Sequence, residues 1–146
     1  MSDQQAPRET RPLTDFHPRL TMNEADRRQV RKAEMREKYD ERLGQAIEKG
    51  HWVLIRSDFP LFHPIIRHIC GMGVMRSKEF IHLDVFDLDS QTFLQRGVPW
   101  DWVLEMWFFA NRPPAHRVRA LGIQSCHGIV LHGAEQFMKK LRAQHA

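Results

Sequence analysis

Apolar positions recur along the chain with two periods, and these separate helix from strand. Met35, Tyr39, Leu43, Ala46 and Ile47 fall on one face at 100° per residue, whereas Glu24, Asp26, Arg27, Arg28, Arg31 and Lys32 charge the preceding turns nearly all round. Thr21 and Glu24 have the spacing of a capping box, and Gly50 supplies a C-terminal stop. The pattern predicts a long helix over 22–49 whose second half packs and whose first half projects. Residues 51–56 (HWVLIR) are apolar and β-branched between Gly50 and Pro60, and 79–87 (EFIHLDVFD) place Ile81, Leu83 and Val85 on one side at period two. Both predict strands.

The remaining segments are read from punctuation. Pro64 opens a short helix over 64–70 (PIIRHIC), stopped by a Gly71-Met72-Gly73 turn, and Ser90 caps a turn running to Gln95. Pro99 opens an aromatic-rich helix from Trp100 to Ala110, broken by Asn111 and Pro113-Pro114. Residues 114–121 fit a helical turn or a strand, and Gly128 to Leu131 suggests a strand. Ala134 to Gln144 fits a basic closing helix with Phe137, Met138 and Leu141 inward. Residues 1–20, with Pro7, Pro12 and Pro18 among polar neighbours, read as an extended arm. The expected class is α+β: arm 1–20, charged helix 21–50, and a small α+β domain over 51–146 with a sheet of short strands and irregular connections.

Composition narrows the function. The 146 residues suit one domain, and 42% apolar content is enough for a core. No apolar run approaches the roughly 18 residues that cross a bilayer, and the first ten residues lack a secretory signal's apolar stretch. Two cysteines are too few for a disulfide scaffold, which points to a reducing compartment, mitochondrial or cytoplasmic. The formal net charge of +4 arises in residues 113–146, where Arg117, Arg119, Lys139, Lys140 and Arg142 face only Glu135. That end prefers anionic partners, although phosphate-neutralising proteins carry a denser basic stripe.

Candidate chemistry is weighed against packing. His63, His68 and Cys70, with Cys126, His127 and His132, are metal-ligand residue types in two clusters, but neither has the spacing that sets two ligands on one turn. They read as packed or surface residues, and no cofactor is expected. His82, Asp84, Asp87 and Asp89 supply carboxylates at a strand end, where Asp commonly shapes a turn. Cys126 and His127 are adjacent and so point to opposite faces of a strand, which is no catalytic dyad. Residues 93–107 imitate a helix-turn-helix, yet Phe93 fills a place that needs a small residue.

Trp100, Trp102, Trp107, Phe108 and Phe109 are more rings than one short helix can turn inward, so this segment is the expected partner-binding surface, or a contact with a membrane interface. The leading expectation is a non-catalytic accessory subunit of a large assembly, of the mitochondrial respiratory or ATP-synthase type, bound to other protein subunits. The rival is an RNA- or DNA-binding component contacting phosphates through Arg27, Arg28, Arg31, Lys32, Arg117, Arg119, Lys139, Lys140 and Arg142. A small metal-dependent hydrolase using the His/Cys clusters is the third expectation.

Overall fold

The computed structural model describes residues 23–62 and 64–131. The arm over 1–20, Thr21, His63, His132 and the closing helix over 134–144 lie outside the described residues. The chain divides into two units after Val30. Of the first, residues 23–30 are described and all are exposed. Asn23 caps the helix there, its side-chain oxygen accepting the Asp26 N–H at 2.8 Å, in place of the expected Thr21.

Helix α1 runs over Glu24–Lys49, and the second unit contains its part from Arg31 onward. Five strands follow: β1 (Trp52–Ser57), β2 (His68–Arg76), β3 (Phe80–Asp87), β4 (Thr92–Pro99) and, after a 3-10 turn over Trp100–Trp102, β5 (Val103–Phe109); a short helix α2 (Ala115–Arg119) comes next. This is an α+β fold. All the pairings are antiparallel and the sheet order is β4-β3-β2-β1-β5.

That order forces the sheet to curl. β4 and β5 are opposite edges, about 19 Å apart in a flat five-strand sheet. Only three residues join them, and even fully extended they span about 14 Å. The edges must therefore approach one another at this end, so the sheet is curled. Trp100 in this connection is fully buried; its Nε1–H donates to the Ser77 carbonyl at 3.0 Å and its backbone N–H to the Glu79 carbonyl at 3.0 Å.

Each face of the curled sheet carries a core. Tyr39, Leu43 and Ala46 of α1 pack on the inner face against Val53, Ile55, Ile81, Leu83 and Val98, with Met35 and Ile47 at the margin. This is the helical face that the 100° spacing marked out. On the outer face, Val118, Ile123, Cys126, Ile129 and Leu131 close over Trp52, Leu54 and Cys70. Strand β1 is thus buried on both sides, which is why its sequence is an unbroken apolar run.

Several expectations are corrected. Residues 64–70 form a turn and the start of β2, not a helix, and Gly71-Met72-Gly73 lies within that strand. The glycines are there because neighbours approach: a Cβ on Gly71 would overlap the Asp84 carbonyl of β3, and one on Gly73 would sit 3.0 Å from Ile47 of α1. Residues 92–99 are strand β4 rather than part of a turn. The aromatic segment is a 3-10 turn and a strand, not a helix, so residues 93–107 are two strands joined by a turn and exclude a helix-turn-helix. Residues 114–121 take the helical option as α2. Residues 128–131 make only an isolated bridge, between Cys126 and Ile129, and His127 pairs with Ile69 beside the start of β2.

Candidate partner-binding groove

Strand geometry redistributes the aromatic residues. Successive side chains of β5 point to opposite faces, so Met106 and Phe108 join the inner core while Trp107 and Phe109 join the outer one. Trp102 packs on the inner core with its ring 5.3 Å from Phe59. Of the five proposed contact residues, Trp100 is entirely internal, and Trp102, Trp107, Phe108 and Phe109 are half-buried. The last three lie together at one edge of the sheet.

Among the described residues β5 pairs only with β1, so its other edge presents backbone N–H and C=O groups without a strand partner. Met106 to Phe109 of this strand line a groove of about 430 Å³ together with Arg42 of α1, Arg117 of α2, and Ala120 and Leu121. A hollow of about 290 Å³ shares Arg42, Phe108 and Phe109 and is bordered by Gln45, Lys49 and His51. Arg42 lies 4.5 Å from the Phe108 ring centroid and Arg117 lies 5.3 Å from that of Phe109, so both guanidinium groups rest on the half-exposed rings. Among the described residues no carboxylate lines either hollow and neither arginine forms an ion pair. Trp107 is held differently: Arg56 lies 5.4 Å from its ring and pairs with Glu105 at 3.5 Å.

The other described basic residues of the sequence-derived set have partners of their own or lie in the first unit. Arg28 pairs with Glu24 at 3.2 Å in the first unit. In the second, Arg31 pairs with Asp58 at 3.7 Å and Lys32 with Glu79 at 2.9 Å. Arg119 donates to the Leu131 carbonyl. Arg27 lies in the exposed first turn of α1, and Lys139, Lys140 and Arg142 are outside the described residues. Among the described members of this set in the second unit, Arg117 alone lines the groove. Arg42 and Lys49 were not singled out; the signal for them is a pair of cations bordering the apolar stripe of α1.

The His/Cys residues are mostly engaged in packing. Cys70 is buried and its thiol is pushed up to about 12 by burial, with the Arg112 charge acting weakly the other way. Burial, and then proximity to Cys70, also raises Cys126, whose thiol donates to the His127 carbonyl at 3.3 Å. Neither is a thiolate at neutral pH. His68 is lowered to about 4 by burial and by Arg56, whose Nε–H donates to its ring nitrogen at 3.2 Å. The His127 ring meets the Leu61 carbonyl. Among the described residues no three of His, Cys, Asp and Glu are grouped to hold a metal ion. Asp87 accepts the Ser90 N–H at 2.9 Å and its hydroxyl at 2.8 Å, bonds that hold its carboxyl below the usual range and shape the β3–β4 turn. A further hollow of about 380 Å³ beside Phe62 sets two carboxylates, Asp87 and Asp89, against one guanidinium, Arg96.

Among the described residues no helix is long and apolar enough to cross a membrane. No family model matches the chain, and no curated protein or solved structure gives a significant match.

Proposed function

We propose that this protein is a non-catalytic accessory subunit that joins a larger assembly through the groove along β5. One observation carries the reading: an edge strand without a second strand partner among the described residues lines a groove with Arg42 and Arg117, and Trp107, Phe108 and Phe109 are half-exposed there. An open strand edge is a template for pairing, and aromatic and Arg side chains are the residue types that dominate protein interfaces. A mitochondrial respiratory or ATP-synthase type complex suits the basic balance of the chain.

The test is purification of the tagged full chain from its native source, followed by size analysis and identification of co-migrating proteins. A stoichiometric protein partner is expected for the wild type, retained by Arg96→Glu and lost in Phe109→Asp. A free monomer would overturn the reading, as would retention of RNA at low salt in place of protein.

A further inference from the structure

We infer that the occupant of the groove is an extended acidic segment of another protein, added beside β5 as a sixth strand; this rests on the reading of the groove as the partner site. Shape argues for a strand. The groove follows the edge of β5 that has no strand partner among the described residues, and a main-chain ladder can satisfy the N–H and C=O groups that point outward from Met106 to Phe109, beyond the bulge near Leu104. Helix α1 on the inner face and α2 on the outer leave the space in the plane of the sheet, the layer that an added strand occupies.

Charge argues for acid. Arg42 and Lys49 stand on the inner side and Arg117 on the outer, with no carboxylate lining either hollow among the described residues. Because successive side chains of a strand face opposite ways, one acidic residue meets Arg42 and the next meets Arg117. The geometry therefore selects adjacent acidic residues rather than acids at every second position. A guanidinium already lying on an aromatic ring is partly immobilised, which lowers the entropic cost of meeting a carboxylate. The chain's own C-terminal residues 132–146 carry Lys139, Lys140 and Arg142 against Glu135, the wrong sign for this site.

The probe is a fluorescein-labelled peptide of about ten residues built from Val and Thr around two Glu-Glu pairs, titrated with the full-length protein by fluorescence polarisation. Binding should weaken by roughly tenfold or more when Glu is replaced by Gln, and be lost with Lys. It should also be lost when alternate backbone amides on the pairing edge are N-methylated, because the ladder then lacks donors. The double variant Arg42→Glu/Arg117→Glu, with its fold checked by circular dichroism, should prefer the Lys peptide. Equal binding of the Glu and Gln peptides, indifference to N-methylation, or tighter binding of labelled oligo-dT would each overturn the inference. If Phe109→Asp releases a native protein partner while the peptides show no preference for acid, the charge argument fails and the interaction reading stands. If no native partner depends on the groove, the interaction reading itself fails.

Discussion

Replacing Gly71 with Ala tests the packing argument at its tightest point. An added Cβ would overlap the Asp84 carbonyl oxygen and lie 2.9 Å from Val85 Cγ2. Neither group can easily retreat, because Asp84 is paired with Met72 on one side and with Gln95 on the other, and Val85 is buried. The methyl group therefore forces two paired strands apart, at the upper end of the overpacking range, about 3 kcal/mol. Loss of glycine's freedom in the unfolded chain returns less than about 1 kcal/mol. A net cost of about 2 to 3 kcal/mol corresponds to a melting temperature lower by about 10 °C for a domain of this size. Gly50→Ala is the control: nothing lies within 4 Å of its added Cβ, and only its φ of 69° is disfavoured, costing about 1 kcal/mol. Urea unfolding followed by tryptophan fluorescence measures both variants. The reasoning is refuted if Gly71→Ala lies within about 0.5 kcal/mol of wild type, or costs less than Gly50→Ala.

Two further outcomes follow from single contacts. Trp100→Phe removes the indole donor from the Ser77 carbonyl and leaves a gap in the core, and should cost about 1 to 3 kcal/mol in the same assay; an unchanged midpoint would show that Trp100 is not held by that bond. His68, held at about 4, stays neutral in the folded chain while the unfolded chain takes up a proton below about 6.5. Its contribution is present above pH 6.5 and is lost as the pH falls toward 4. Discounted for partial exposure it is about 1 kcal/mol. His68→Gln should flatten the fall in unfolding midpoint between pH 7 and 4.5, and parallel profiles for the two proteins would contradict the assignment.

Legibility differed among elements for identifiable reasons. Helix α1 was legible because one stripe of apolar residues meets one core, and β3 because Ile81, Leu83 and Val85 alternate with His82 and Asp84 on a strand buried on one side. Strand β2 was obscured by Gly71 and Gly73, which serve close approach rather than chain reversal. Strand β5 was obscured because both of its faces meet a core, which removes the alternation, and a dense aromatic run then fits either period. The candidate groove was half legible. Trp107, Phe108, Phe109 and Arg117 stand out by residue type, whereas Arg42 borders the apolar stripe of α1 and is brought to them by the fold.

The amino-acid order alone determined the class, the long helix and its buried face, the first and third strands, and the basic excess of the C-terminal part, since each is a local or summed property. Tertiary structure decided that the sheet curls, that β5 is an edge, and that Arg42 and Arg117 face one groove from elements 75 positions apart. Strand neighbours and groove walls are set by which surfaces bury one another, and burial is a relation between distant residues that no local period records.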